Sequence, residues 1–127
     1  MEGEQLKPAR WIASARKDVR SFPVPVRNEI GHALYAAQKG ETDPAAKPLK
    51  GFGGRGVLEI VTDHRGDTWR SVYTVRFEGA VYVLHAFQKK ATKGSATPKH
   101  EIELIKSRLR DAEMHYGART EKGTPKP

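Results

Sequence analysis

Three strand-like runs, separated by short turns, constrain the fold of this chain more than any other feature. Residues 57–62 are apolar and β-branched, residues 68–77 alternate in polarity, and residues 81–88 are apolar on both faces. With turn residues at 63–67 and at Glu78-Gly79 between them, the runs predict a three-stranded antiparallel meander. We expect the third run to lie in the centre of the sheet.

The alternation within residues 68–77 predicts which side chains share a face of the sheet. One face is expected to carry Trp69, Ser71, Tyr73, Val75 and Phe77, and the other Arg70, Val72, Thr74 and Arg76. Trp69 and Tyr73 can stack on a nucleic-acid base. Because they share a face with apolar neighbours, we expect them to pack in the core instead.

Two helical patterns precede the meander. Residues 10–13 can pair as a short strand, residues 14–21 form a short helix, and the prolines of residues 22–25 end that helix. Pro25 suits the first turn of a second helix, for which Gly40 is a plausible end. This second helix carries one apolar stripe made of Val26, Ile30, Ala33, Leu34 and Ala37.

A further helix follows the meander. Thr97 is expected to be its N-cap, with Pro98 at the first helical position. Its inner face is expected to contain Ile102, Ile105, Leu109 and Ala112. The sequence therefore predicts a single α+β domain with an N-terminal strand and helical hairpin, a three-stranded antiparallel meander and a C-terminal helix.

Length and composition limit the classes of protein to which this chain can belong. In a chain of 127 residues, we expect one domain at residues 9–116, a flexible N-terminus at residues 1–8 and a disordered tail at residues 117–127. The absence of cysteine excludes disulfides and thiolate metal sites. No apolar run approaches the roughly 20 residues that span a bilayer, and no signal-peptide core is visible. We therefore expect a cytoplasmic protein without a membrane partner.

The charge of the chain points to a polyanionic partner. Lys and Arg number 23 against 15 acidic residues, a formal net charge of +8. The stretch from Lys89 to Arg110 is dense in basic residues, and Glu101 and Glu103 are its only acids. Such a field favours RNA, although an acidic protein partner is compatible with it and a merely solubilising surface is an alternative.

Several local motifs in this order resemble the RelE/ParE superfamily, and within it the phage-derived HigB-like toxins of type II toxin–antitoxin systems. They are Leu49-Lys50-Gly51, the run Gly66-Asp67-Thr68-Trp69-Arg70-Ser71-Val72-Tyr73, and the run Leu84-His85-Ala86-Phe87-Gln88-Lys89-Lys90. Lys93, Thr97-Pro98 and the helix that begins Lys99-His100-Glu101-Ile102-Glu103 follow them. The order and spacing of the motifs carry the resemblance.

The resemblance implies a ribosome-dependent endoribonuclease that cuts messenger RNA and inhibits translation. It implies a reaction without metal or cofactor, in which the ribose 2′-hydroxyl attacks the adjacent phosphate. The products are a 2′,3′-cyclic phosphate and a free 5′-hydroxyl. It also implies a cognate antitoxin, which we expect to carry a helix-turn-helix domain, and no small-molecule ligand.

Four residues are candidates for this chemistry. Arg70 matches the superfamily arginine that contacts the scissile phosphate, and a guanidinium can grip a phosphate through two hydrogen bonds. The alternative for Arg70 is a surface arginine that pairs with Asp67 or Asp63. Lys90 matches a basic residue of the superfamily's closing pair, and Lys89 precedes it on the strand, although both can be solvated edge lysines. His64, in a predicted turn, is a candidate base or acid, because histidine is the residue type most often used for proton transfer.

Four further basic residues are candidates for RNA binding: Lys93, Arg65, Lys50 and Arg55. Lys50 and Arg55 flank a glycine-rich connection that can track a nucleic-acid backbone or serve only as a linker. His85 lies between apolar neighbours in the third strand, so we expect a packed core histidine. No spacing of histidines and carboxylates suggests a metal site.

The sequence departs from the superfamily pattern in two places. Glu59 and Thr62 stand where basic residues are typical, and no tyrosine follows the Lys89-Lys90 pair until Tyr116. These departures leave the general base and acid unassigned. Two other functions therefore stay open: a ParE-like toxin that acts on DNA gyrase without nuclease activity, and a phage nucleic-acid-binding protein without catalysis.

Overall fold

A computed structural model describes residues 5–53, 56–90 and 97–123, with the backbone alone for Lys90 and residues 120–123. Eight elements lie within these residues. In chain order they are β1 (Ala9–Trp11), α1 (Ala15–Arg20), α2 (Val24–Gln38), β2 (Ala46–Pro48), β3 (Val57–His64), β4 (Asp67–Thr74), β5 (Val81–Lys90) and α3 (Lys99–Gly123).

The five strands form one sheet in the order β1-β5-β4-β3-β2. Strands β3, β4 and β5 pair antiparallel, which confirms the predicted meander and places β5 between β4 and β1. Strand β1 joins β5 in parallel. The sequence did not predict β2, which pairs antiparallel with β3 at the other edge. Its three residues end at Pro48, a residue type that sheets tolerate at an edge because no ladder donor is needed there.

The sheet lies between two separate apolar cores, so the domain has three layers. Helices α1 and α2 cover one face, where Val26 and Ile30 pack with Ile60, Tyr73 and Val83. Helix α3 covers the other face through a core composed of Leu49, Phe52, Val57, Val72, Phe77, Ala80, Tyr82, Leu84, Ile105, Leu109 and Ala112. The predicted α+β class is confirmed, and each face of the sheet has its own helical layer.

Helix α2 follows the sequence prediction closely. Pro23 is its N-cap and Pro25 lies in its first turn, where the missing amide hydrogen costs nothing. All five residues of the predicted stripe are buried. The helix ends where Gly40 adopts a φ of 85°, a conformation that glycine reaches without strain. The stripe and the end of the helix are therefore confirmed.

The connection between β3 and β4 is tighter than the predicted turn at residues 63–67. Arg65 and Gly66 both have positive φ, at 53° and 84°, and His64 pairs directly with Asp67. Two central residues of this kind define a type I′ hairpin, whose twist matches that of the strands it joins. Both strands therefore extend to the turn itself.

The far end of β4 also differs from the prediction. The strand ends at Thr74 rather than at Phe77: the Val75 amide still donates to the Gly56 carbonyl, but Gly56 has a φ of 76° and the partner chain leaves the ladder there. Beyond the strand, the period of two no longer sets the orientation of side chains. Phe77 consequently packs in the α3 core and not on the face of Trp69 and Tyr73.

The start of α3 corrects a third prediction. The Pro98 carbonyl accepts the first helical hydrogen bonds, from the amides of Glu101 and Ile102, so Pro98 lies before the helix instead of within it. Thr97 is not the N-cap, since its hydroxyl donates to Glu59 across the sheet. At its other end, α3 continues to Gly123, into the segment that the sequence predicts as a tail. Among the described residues, no helix has the length and apolar character needed to cross a membrane.

Candidate active site

Arg70 lies in a three-residue cluster on the face of the sheet that α3 covers. Its Nη1 atom is 2.9 Å from Glu59 Oε2 and donates to Thr97 Oγ1 at 3.2 Å. The Thr97 hydroxyl in turn donates to the same Glu59 oxygen at 2.7 Å. Arg70 is only 5% exposed. The cluster therefore joins β3, β4 and the residue that leads into α3.

The hairpin register brings Glu59 to Arg70. Arg70 pairs with Val61, and Val72 pairs with Glu59, so the two charged side chains are diagonal neighbours on one face. The type I′ turn sets this register, since a slip of one residue would move Glu59 to the opposite face. The contact is thus a consequence of the turn at residues 65–66.

The structure overturns the surface alternative for Arg70. The arginine is buried and its partner is Glu59, not Asp63 or Asp67. Asp67 instead accepts a hydrogen bond from Gln88, and Asp63 accepts one from Thr68. A charge removed from water needs a partner of opposite sign, and loss of one partner of a buried pair costs about 3–5 kcal/mol. Glu59 is therefore required by the burial of Arg70.

Lys89 lies on the same face as Arg70. Strand β5 pairs Phe87 with Arg70 and Lys89 with Thr68. Lys89 therefore follows Phe87 by two residues and projects from the same face of the sheet as Arg70. Its side chain is partly buried. The backbone of Lys90 pairs with Asp67 at the end of the strand. Of the two lysines, Lys89 is the one that the described structure brings to the side of Arg70.

His64 does not join this cluster. It pairs with Asp67 at the turn, and the alternation of β3 places it on the α1–α2 face, opposite to Glu59. The sheet itself therefore separates the His64 imidazole from the Arg70 guanidinium. Arg65 lies at the tip of the hairpin and is exposed. The prediction that His64 and Arg70 act on one phosphate is not supported by this geometry.

The other predicted RNA-binding residues are spread along the molecule. Lys50 is exposed and follows Leu49, whose amide donates to the carbonyl of Val57, the first residue of β3. That is the opposite end of β3 from the hairpin turn. Arg55 and Lys93 lie outside the described residues. Lys50 therefore does not belong to the Arg70 cluster.

His85 is held on both of its ring nitrogens. Nε2 lies 2.5 Å from Glu101 Oε1, and Nδ1 lies 3.1 Å from Arg108 Nη1. An arginine can only donate, so Nδ1 is the acceptor and Nε2 carries the proton that Glu101 accepts. The ring also stacks on Phe87, with centroids 5.1 Å apart. With both nitrogens engaged and only 6% exposure, His85 is a packed core histidine, as the sequence predicts.

Arg108 explains the irregularity of β5 beside His85. Val72 pairs with His85 but Tyr73 pairs with Val83, which leaves Leu84 as the extra residue of a β-bulge. Arg108 Nη1 donates to the Leu84 carbonyl at 3.1 Å. Its Nη2 donates to Ser14 Oγ at 3.4 Å. Arg108 thus ties α3 to β5 and to the start of α1 beneath the candidate site.

Trp69 and Tyr73 pack against α1 and α2 and not at the surface, as predicted. The Trp69 ring lies 4.8 Å from that of Phe22, and Tyr73 is 1% exposed. Burial, together with Asp43, raises the pKa of Tyr73 to about 12. Tyr116, the late tyrosine of the sequence, stacks on Phe77 at the far end of the sheet. None of these aromatic rings is placed to stack on a base at Arg70.

Glu59 and Thr97 are members of the cluster that the sequence does not predict. In the sequence, Glu59 is a departure from a basic pattern, and Thr97 is a predicted helix cap that follows the family motifs. A signal for Glu59 exists, because a two-residue turn at Arg65-Gly66 implies its register with Arg70. No local signal exists for Thr97, since its contact depends on how α3 packs. Among the described residues, no group of histidines and carboxylates can hold a metal ion.

Comparison with known proteins supplies the family. Residues 17–110, about three quarters of the chain, match the family described as phage-derived protein Gp49-like. The chain belongs to this Gp49-like family. The match includes Glu59, Arg70, Lys89 and Thr97, so the whole candidate site lies inside the Gp49-like region. No curated protein sequence matches the chain at a significant level.

Solved structures establish the fold. A doubly substituted variant of the E. coli toxin RelE, in the free state, superimposes with a TM-score of 0.53 at 19% sequence identity. The alignment covers 84% of this chain and 97% of that one. The RelBE2 toxin–antitoxin complex of Mycobacterium tuberculosis has a chain with a TM-score of 0.43 at 19% identity, covering 72% of this chain and 100% of that one. The superposition on RelE shows that this Gp49-like protein has the RelE fold, as its motifs predict.

Proposed function

We propose that this Gp49-like protein is the toxin of a type II toxin–antitoxin system, a metal-independent endoribonuclease that cuts messenger RNA on the ribosome. The observation that carries the proposal is the Arg70–Glu59 pair, with Lys89 on the same face of a RelE-like sheet. It puts a phosphate-binding cation next to a carboxylate that can accept a proton. This is the combination that a 2′-hydroxyl attack on phosphorus needs.

Each step of the reaction has a residue in this arrangement. The 2′ oxygen forms a bond to phosphorus while the bond from phosphorus to the 5′ oxygen breaks. Glu59 accepts the proton of the 2′-hydroxyl, and Arg70 stabilises the additional negative charge on the phosphate oxygens. Lys89 donates a proton to the departing 5′ oxygen. The products are a 2′,3′-cyclic phosphate and a 5′-hydroxyl, and proton exchange with water restores both side chains.

The contacts of Arg70 with Glu59 and Thr97 determine how a substrate phosphate can reach the guanidinium. The Arg70 guanidinium has five N–H donors, so it can keep Glu59 and still bind a phosphate. A phosphate oxygen bound at Nη1 replaces the Thr97 hydroxyl, which accepts from that atom in the structure. Substrate binding is thus expected to involve a shift of the segment that begins α3.

The test is addition of the purified protein to a translating extract, followed by mapping of the RNA ends. We expect cuts in phase with codons, with 2′,3′-cyclic phosphate and 5′-hydroxyl ends. Arg70→Lys and Glu59→Gln should each lower cleavage at least about a hundredfold, the low end for loss of one charge-stabilising or proton-transfer group. His64→Ala, on the other face, should cleave as the unaltered protein does. Intact message from a folded protein would overturn the nuclease proposal.

One observation favours a second candidate, a ParE-like toxin that acts on DNA gyrase by protein contact. Arg70 is buried and neutralised by Glu59, which also suits a scaffold without catalysis. Stabilised gyrase cleavage complexes with intact message would support this candidate. Equal growth of cells that express the unaltered protein and Arg70→Lys, without arrest in either, would instead support a phage nucleic-acid-binding protein without toxicity.

The partners follow from the proposed role. The toxin acts in the cytoplasm, its domain is residues 9–116, and a helix-turn-helix antitoxin encoded beside it holds it inactive. Lys93, Arg65, Lys50 and Arg55 assist in holding RNA, and Lys90 assists Lys89. Co-purification from the native operon tests the antitoxin, and recovery of the toxin alone would contradict it.

A further inference from the structure

A second cationic feature lies beside α3, apart from the Arg70 cluster. It is a cleft of about 380 Å³ with three basic side chains and one acidic side chain on its walls: Arg76, Lys106, Arg110 and Glu113. Phe52 and Leu109 form its apolar part. We call it the α3 cleft. None of its charged residues belongs to the candidate active site.

The fold brings these cations together from distant parts of the chain. Lys106 and Arg110 are four residues apart on α3, so they lie on one side of the helix. Arg76 follows β4, and its guanidinium carbon lies 5.6 Å from the centre of the Phe77 ring, a contact that restricts its position. Gly51 also lines the cleft, and exposed Lys50 precedes it. Three cations against one carboxylate leave a local excess of positive charge in the cleft.

A line of basic residues along α3 leads from the cleft toward the candidate active site, interrupted by the exposed carboxylate of Glu103. Lys99 precedes Lys106 by two helical turns and shares its side of α3. From Lys99 to Arg110 the helix rises about 16 Å, a length that a few nucleotides of extended RNA can follow. The Lys99 end of this line is the end at which Thr97 contacts Arg70.

We propose that the α3 cleft binds backbone phosphates of the same RNA strand whose scissile phosphate is held at Arg70. The inference rests on the proposed function for its choice of ligand. A strand of RNA carries one negative charge per nucleotide, which matches cations that continue in a line from Arg70. Arginine and lysine on a concave surface are the groups that hold phosphates without reading bases. An acidic protein segment has no comparable reason to continue to Arg70.

The test compares two double variants of equal charge change. Lys106→Gln with Arg110→Gln alters the cleft, whereas Arg16→Gln with Arg20→Gln alters exposed residues of α1 on the other side of the sheet. The probe is a fluorescent oligoribonucleotide of about 12 nucleotides, methylated on its 2′ oxygens to prevent cleavage. Fluorescence anisotropy gives its affinity as a function of salt concentration.

Loss of two phosphate contacts should make the slope of log K against log salt shallower by about 1.4 and weaken binding about 25-fold at about 0.1 M salt. The α1 variant should retain the slope of the unaltered protein. Equal slopes for both variants, or no binding of the probe by the unaltered protein, would overturn the inference. Displacement of the probe by polyglutamate as readily as by unlabelled RNA would also overturn it, in favour of an acidic protein partner.

Failure of the proposed function is distinguishable from failure of this inference. If messages stay intact but the cleft variant shows the shallower salt slope, the RNA surface stands and the nuclease proposal falls. If messages are cut with unchanged efficiency by the cleft variant and the slopes are equal, the nuclease proposal stands and the cleft has no role in RNA binding.

Discussion

The Nη1 atom of Arg70 lies 2.9 Å from the Oε2 atom of Glu59, on the neighbouring strand of the sheet. The arginine that the motifs place at the scissile phosphate is therefore already paired with a carboxylate. Glu59 therefore belongs to the candidate site, because its carboxylate and the Arg70 guanidinium are removed from water as a pair.

Replacement of Glu59 by Gln should lower the free energy of unfolding by about 3–5 kcal/mol, since it removes the carboxylate that pairs with the buried Arg70 charge. Arg70→Met should destabilise for the converse reason. The double variant should lose less than the sum, with a coupling free energy of about 1–3 kcal/mol. Urea denaturation of the unaltered protein, the two single variants and the double variant at neutral pH measures this coupling. Losses of stability that simply add in the double variant would contradict the ion pair.

Arg108→Leu should lower the free energy of unfolding by more than about 2 kcal/mol, because it removes charged hydrogen bonds to Leu84 and His85. Arg110→Leu is the matched control, since Arg110 lies on the same helix and is exposed. It should change stability by no more than about 0.5 kcal/mol. Equal losses in the two variants would mean that Arg108 does not secure the β-bulge.

Tyr73 should make the protein sensitive to high pH. Burial, assisted by Asp43, raises the pKa of its hydroxyl from 10.0 to about 12 in the folded state. The unfolded chain therefore releases this proton first, so stability is intact below about pH 10 and falls as the pH rises toward 12. The loss attributable to this group approaches about 3 kcal/mol at the upper end.

Tyr73→Phe isolates that effect from the titration of lysines. The variant should be at least as stable as the unaltered protein at neutral pH, because the buried Tyr73 hydroxyl has no hydrogen-bond partner among the described residues. Between about pH 10 and 12 it should lose less stability than the unaltered protein. Parallel losses in urea melts of the two proteins would argue against the raised pKa.

Removal of metal should leave cleavage unchanged. The protein is treated with a chelator and desalted before it enters the extract, so that ribosomes keep their magnesium. Arg70 and Lys89 supply the positive charge that a metal would otherwise provide. We expect the treated and untreated proteins to cut at the same rate. Loss of activity that added Zn²⁺ or Mg²⁺ restores would refute a metal-independent reaction.

Local pattern was sufficient for much of the fold. The alternation of β4 correctly separated Trp69 and Tyr73 from Arg70 and Val72, and the stripe of α2 identified five buried residues. Both follow from the period of the backbone, which needs no knowledge of the partner surface. The prediction failed at element ends, as at Phe77 and Thr97, because tertiary contacts decide where a strand or helix stops.

The candidate site was predictable only in part. Residue type and motif order made Arg70, Lys89 and Lys90 candidates, and the strand register brings Lys89 to the face of Arg70. A shift of one residue in the pairing of β3 with β4 would reverse the face on which His64 lies. The type I′ turn sets the register that places His64 on the face opposite to Arg70. Thr97 entered the cluster through the packing of α3.

The sequence by itself determined the basic character of the chain, its strands and helices, and the arginine at the centre of the proposed chemistry. Only the tertiary structure decided that Glu59 neutralises Arg70, that His85 is enclosed by Glu101 and Arg108, and that a cleft forms beside α3. The physical reason is the distance along the chain over which each kind of interaction acts. Propensity and periodicity act between neighbours in the chain, whereas a charge pair, a histidine tautomer or a cleft is set by residues that only folding brings together.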